Sequence, residues 1–394
     1  MCGLGRAPGI IALVMRAFAF AVALLASAET CAQPCLEPGA WFATMREAPH
    51  RIPASEVLAA SAQRDVVLLG EQHDVADDHV WQLAMLAALR SVRPQMVIGF
   101  EQFPRRAQPV LDAWIAGRLT ERQFLEQSEW RKVWNFPPEL YLPLFRFARI
   151  NSIPMIALNV DRELIDAVAT KGWDGVPDAL KEGVSRPASA SKDYLDMLQR
   201  IYNEHPQRDG ADFPHFVDSQ LTWDRAMADA LARSAARGRT DEHPLVVGII
   251  GSGHLRFGYG VRHQLRALGI DNVATLLPVG ADSRCEQLGA GIADAVFAIP
   301  QSLAKDAPPR PRLGVRLERS PDGIKIVEVT PGSLAATSGL QSGDRIVSLA
   351  GAPVSALHAV IDAVRSQPAG TWLPMRVRRG DETLEVIVKF PPQQ

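Results

Sequence analysis

Four short stretches of this 394-residue chain combine acids, imidazoles and glycines that could do chemistry. They are Gly70-Glu71-Gln72-His73, the acid Glu101, Asn159-Val160-Asp161-Arg162 and Gly251-Ser252-Gly253-His254. Two glutamates and two histidines can hold a divalent metal with open positions. The same four can act as general acid and base on either side of a bond. A lone carboxylate at a buried strand end is costly unless paired or bound, which singles out Glu71 and Glu101. Glycines beside His73 and His254 let a ligand come close to the backbone. Asn159 and Asp161 equally suit the capping of a following helix. The remaining histidines lack such context. His-Glu-x-x-His is absent, Ile250 breaks a Gly-x-Ser-x-Gly turn, and neither a phosphate loop nor a dinucleotide fingerprint occurs. Without Cys-x-x-Cys-His, covalently attached haem is excluded. Non-covalent haem needs a flat apolar slot and an axial Tyr, His, Met or Cys. Tyr259 follows His254, and Tyr141 stands near Trp134, Phe136 and Phe145; either could ligate ferric iron, with core packing as the plainer role for Tyr141.

These residues follow short apolar runs rich in β-branched or large aliphatic side chains: Val66–Leu69, Met96–Phe100, Met155–Leu158 and Leu245–Ile250, with Val273–Leu277 as a fifth. Amphipathic stretches separate them, among them Asp77–Ser91, Glu139–Ile150, Arg162–Thr170, Lys192–Asn203, Val217–Arg237 and Val261–Leu268. Alternating strands and helices imply crossover connections, so the fold class is α/β with a largely parallel central sheet flanked by helices. In such a sheet all these strand ends share the carboxyl edge, where open α/β folds bind ligands. Strands far apart in the chain therefore deliver Glu71, His73, Glu101, Asn159, Arg162 and His254 to one rim.

Hydrophobic residues at 47% and charged residues at 22% exclude disorder over most of the chain. The formal net charge of -2 offers no electrostatic reason for a nucleic-acid partner. Residues 1–28 read as an export signal, with Arg6 and Arg16, the apolar run Ala17–Ala26 and Ala26-Ser27-Ala28 as the cleavage site, so a periplasmic or cell-envelope location is expected. A lipid anchor at Cys31 fits less well because Glu29 interrupts the required pattern. Cleavage leaves Cys31, Cys35 and Cys285, enough for one bridge and a spare thiol. The expected organisation is an α/β domain at 29–290, a Pro-containing linker at 291–311 and a smaller domain at 312–392.

The ordered set Leu68–Asp74, Gly99–Phe103, Ala157–Val160, Asp218–Ala228 and Ile250–Val261 resembles the ChaN-like haem-binding uptake proteins, grouped with Tiki, TraB and erythromycin-esterase proteins. The resemblance implies haem or iron-related binding in the cell envelope, with Glu71, His73, Glu101 and His254 on the motif positions. In the Tiki and esterase relatives those positions serve metal-dependent hydrolysis or proteolysis. In ChaN-like proteins it implies a tyrosine on haem iron, for which Tyr259 and Tyr141 are the candidates here, and a homodimer that sandwiches haem. His254, Arg162 and Asn159 complete the expected cofactor contacts. Beyond residue 312, Arg312-Leu313-Gly314-Val315, Pro331–Ala335, Gly343-Asp344-Arg345-Ile346 and a helix at about 357–367 resemble a bacterial PDZ domain. That implies capture of a protein C-terminus or internal peptide by Leu313, Gly314, Val315 and Leu317, with His358, Ile361 and Arg365 across the groove.

Overall fold

The computed structural model describes residues 36–392 apart from 46–47, 205–211, 237–242, 282, 284–287, 301–310, 321–322, 355 and 366. Residues 1–28, where an export signal is expected, and Cys31, Cys35 and Cys285 lie outside the described residues. The chain forms two units, divided near residue 301.

In the first unit the strands are β1 (Trp41–Ala43), β2 (His50–Ile52), β3 (Val66–Glu71), β4 (Met96–Pro104), β5 (Met155–Asn159), β6 (Leu245–Gly251), β7 (Val273–Gly280) and β8 (Ala295–Ile299). The helices are α1 (Ala54–Ala62), α2 (Ala76–Val92), α3 (Gln108–Ile115), α4 (Glu121–Gln127), α5 (Trp130–Val133), α6 (Pro138–Ile150), α7 (Arg162–Lys171), α8 (Lys192–Glu204), α9 (Phe213–Ala236) and α10 (Val261–Ala267). The sheet order is β2-β1-β8-β7-β3-β6-β4-β5. From β8 to β5 every pairing is parallel, and β1 adds antiparallel to β8 and to β2.

The apolar runs are continuous because both faces of the sheet are covered. Along β3, Val67 and Leu69 pack into one layer with Phe100, Trp114 and Phe145, while Val66 and Leu68 pack into the other with Met227, Leu231 and Leu265. The five expected strands are present, and β4 runs on past Phe100 to Pro104. Three strands depart from the expectation. β8 falls inside the stretch read as linker, and β1 and β2 are three residues each, too short to show a period. β1 pairs with β8 more than two hundred residues away, so only the folded register identifies that pair. Among the described residues no helix is long and apolar enough to cross a membrane.

The second unit is antiparallel: β9 (Val315–Ser320), β10 (Gly323–Val329), β11 (Arg345–Leu349), β12 (Ala352–Pro353), β13 (Trp372–Arg379) and β14 (Glu382–Lys389), with helices α11 (Leu334–Thr337) and α12 (Leu357–Arg365). Its order is β14-β13-β11-β10-β9, and β12 pairs with β11. β9 ends that order, so one of its edges is open to an added strand.

Candidate functional site

β3, β6 and β4 are neighbours, so Glu71, Gly251 and Glu101 arrive side by side at their carboxyl ends. The expected convergence is met. Glu101 Oε2 accepts the Gly251 N–H at 2.5 Å, and Glu101 Oε1 lies 3.8 Å from His254 Nε2. His254, in the 3-10 turn Ser252–His254, donates from Nδ1 to Asp224 Oδ1 at 2.8 Å. The other Asp224 oxygen accepts from the Tyr194 hydroxyl at 2.7 Å. Burial pulls the His254 pKa down, but the bond to Asp224 and the charges of Asp224 and Glu101 outweigh it and push it up to about 9.

A second acid–imidazole pair stands beside the first. His73 donates from Nδ1 to Glu71 Oε1 at 2.8 Å. Glu71 Oε1 also accepts from Tyr141 (2.7 Å) and Gln102 Nε2 (3.2 Å), and Oε2 accepts from Gln82 Nε2 (3.0 Å). Burial alone would raise the Glu71 pKa; the His73 bond, the charges of His79 and His73 and the Tyr141 hydroxyl together hold it below the ordinary carboxylate value. Burial likewise opposes charge on His73, yet Glu71 and Glu101 carry its pKa above the ordinary value. Glycine is required at 251: a Cβ there would lie 2.7 Å from His73 Cε1.

These groups open into a cavity of about 750 Å³, a normal size for a small-molecule site. His73, Glu101, Gln102 and His254 line its floor, with Trp134, Phe136 and Trp223 as flat walls. Trp134 stands on the short segment around α5, bracketed by Glu129 (φ 53°) and Asn135 (φ 65°) in the left-handed region. Arg106 ties this segment to the opposite bank, donating to Glu129 (2.5 Å) and Asp161 (2.6 Å). Gln102 Oε1 and Trp134 Nε1 are buried with no hydrogen-bond partner among the described residues. Buried polar atoms are normally paired, so these are groups an occupant can satisfy.

Several expectations need correction. Glu71 is buried and does not line the cavity, and four side chains hydrogen-bond its oxygens. Among the described residues no three of His, Cys, Asp and Glu converge to hold a metal ion. Tyr141 is fully buried, and burial and then Glu71 push its hydroxyl far above the ordinary value, so a phenolate ligand is disfavoured. Tyr259 lines a separate cavity of about 350 Å³ with Asp193, Phe257 and His263. Asn159 closes the strand end, donating to the Glu101 carbonyl and accepting from the Val160 N–H. Arg162 stands exposed at the mouth, 3.6 Å from Asp166. Sequence reasoning missed Asp224, Gln82, Gln102 and Arg106. An acid or amide within an amphipathic helix carries no local signal, and the only hint for Asp224 was its place in the 218–228 motif.

In the second unit a groove of about 880 Å³ is lined by Leu313, Gly314, Val315 and Leu317 on one side and Val360, Ile361, Val364 and Arg365 on the other, as expected. Gly314 has φ +76°, and a Cβ there would meet Ser333 Cβ at 2.2 Å. The side chain of His358, in α12, lies outside the described residues.

The fold and its rim define an α/β ligand-binding domain with its cavity at the strand carboxyl ends, joined in one chain to a small antiparallel domain with an open-edged groove. Residues 57–265 match the profile described as haem-binding uptake, Tiki superfamily, ChaN, and residues 311–390 match the PDZ domain. The chain belongs to the ChaN family of haem-binding uptake proteins and carries a PDZ domain.

Among solved structures it is similar to "Cofacial heme binding to ChaN of Campylobacter jejuni" at 16% identity and a TM-score of 0.49, covering 67% of this chain and 98% of that one. Over 20% of its length it is similar to the HtrA3 PDZ domain bound to a phage-derived ligand, at 28% identity and a TM-score of 0.19, covering 82% of that chain. A stretch of 66 residues is 39% identical to the serine protease HTRA1 of Xenopus tropicalis; it spans 17% of this chain and only 14% of that protease.

Proposed function

We propose that this is an exported cell-envelope protein whose α/β domain binds haem in the rim cavity and whose PDZ domain docks a partner through a peptide or C-terminus. Family membership supports haem as the ligand. The observation that carries the site is the cavity itself: planar aromatic walls, two imidazoles on the floor, and the unpartnered Gln102 Oε1 and Trp134 Nε1. That donor set fits an iron porphyrin, which Trp134, Phe136, Trp223 and the two imidazoles would hold. Bound there, haem supplies a redox-active iron; the chain's own residues hold, orient and shield it. The metal-dependent hydrolase reading draws less support, because Glu71 is committed to orienting His73.

Removal of residues 1–28 on export, a periplasmic setting and a haem-linked homodimer complete the proposal. Hemin titration of residues 29–394, followed in the Soret region, tests the cavity. A saturable change that is abolished by Trp134→Glu and Trp223→Glu is the expected result. No saturable change, or full binding by both variants, refutes it. For the second domain, peptides with free C-termini should bind; failure of a free-terminus peptide library refutes the docking role.

A further inference from the structure

We infer that the PDZ groove selects C-termini that end in an apolar residue and carry acidic side chains upstream of it, with Arg319 and Arg365 reading the acids. This rests on the docking role proposed above and adds to it the charge of the partner.

The direction of a bound peptide follows from the fold. The turn at Leu313 and Gly314, which would receive a terminal carboxylate, immediately precedes β9, and β9 ends the sheet. A strand added to that edge with its terminus at Gly314 therefore runs antiparallel to β9. Its last residue enters a groove walled by Leu313, Val315, Leu317, Val360, Ile361 and Val364, all of them apolar. Side chains alternate along a strand, so Arg319 follows Val315 and Leu317 on the groove side of β9, about 13 Å beyond Val315 at roughly 3.3 Å per residue. The peptide residue facing it lies about four before the terminus by the same spacing.

The charges of this edge are sorted by side. Arg316, on the opposite side of β9, is neutralised by Glu318 and Glu328 at 3.2 Å each. Arg312, Arg319 and Arg365 are exposed and make no ion pair among the described residues. The groove lining includes Arg312 and Arg365 and no acid. A peptide brings one terminal carboxylate, and the backbone of the Gly314 turn and the neighbouring Arg312 suffice to hold it. Arg365, in the last turn of α12, and Arg319, along β9, are left for acidic side chains. Like charges facing them would be repelled, so the same arginines reject basic C-termini.

The test is fluorescence polarisation with short labelled peptides and the chain 29–394. The peptides share an apolar last residue and a free terminus and carry Glu, Gln or Lys upstream. At low salt the Glu peptide should bind about tenfold more tightly than the Lys peptide, with the Gln peptide between them and the gap narrowing as salt is added. Arg319→Glu combined with Arg365→Glu should reverse the order, and Arg319→Gln combined with Arg365→Gln should bind the three alike. Both side chains are exposed, and circular dichroism shows that each variant is folded. Equal binding of the three peptides by the wild type, or an order unchanged in the double glutamate variant, overturns the inference while the docking role stands. An amidated Glu peptide that binds as tightly as the free acid reveals an unspecific anion-binding surface and overturns it as well. A wild type that binds no peptide of any charge overturns the docking role instead.

Discussion

Asp224→Asn probes the charge on His254 that the fold creates. His254 ordinarily titrates near 6.5, and here its pKa is about 9. Burial opposes that rise, so its source is the carboxylate of Asp224, which is wholly buried and 2.8 Å away, with Glu101 adding to it. The rise from 6.5 to about 9 corresponds to roughly 3 kcal/mol of stabilisation of the charged imidazole. Because the folded pKa lies above the unfolded one, this contribution is fully present below pH 6.5 and is lost as pH rises through 9. The asparagine keeps the shape but not the charge, so most of the rise is lost and the pKa falls back toward the ordinary value. The stability gap between wild type and Asp224→Asn should therefore shrink by about 3 kcal/mol between pH 6 and pH 9.5. Urea unfolding followed by tryptophan fluorescence measures the gap, and imidazole NMR measures the pKa directly. A wild-type His254 that titrates near 6.5, or a gap independent of pH, would refute the reasoning.

Three further perturbations have definite outcomes. Gly251→Ala drives a methyl to 2.7 Å from His73 Cε1; we expect about 1–3 kcal/mol of destabilisation in urea and a displaced His73 resonance in NMR spectra. Gly314→Ala meets Ser333 at 2.2 Å from a left-handed backbone, so the PDZ domain should lose about 1–3 kcal/mol and its groove should be distorted, read by amide chemical shifts of Val315 and Leu317. Phe103→Ala empties the centre of the cluster formed with Phe100, Phe124, Trp130 and Phe145, at a cost of about 3–5 kcal/mol by urea unfolding.

Much of this architecture was legible in the linear chain. Parallel strands covered on both faces must be apolar throughout, so β3 and β6 announce themselves as continuous runs, and their ends mark the rim where Glu71 and His254 stand. The PDZ domain was equally plain, because Gly314, Gly339 and Gly343 sit where its turns demand positive φ. Short strands were not legible: β1 and β2 are three residues each, and β1 is fixed by its pairing with β8, more than two hundred residues away, rather than by any period of its own.

The chain alone determined which chemical groups reach the carboxyl edge, since strand polarity follows from the alternation of strands and helices. Only the tertiary structure decided how they divide the work. Whether an acid is a ligand or an orienting group depends on how many donors surround it, and those donors come from α2, β4 and α6 for Glu71 and from α8 for Asp224. Hydrogen bonds between side chains distant in sequence leave no periodic trace. Hence the sequence left Tyr141 between iron ligand and core residue until its hydroxyl was seen against Glu71, and Asp224 passed as one more helix acid until it was seen beside His254.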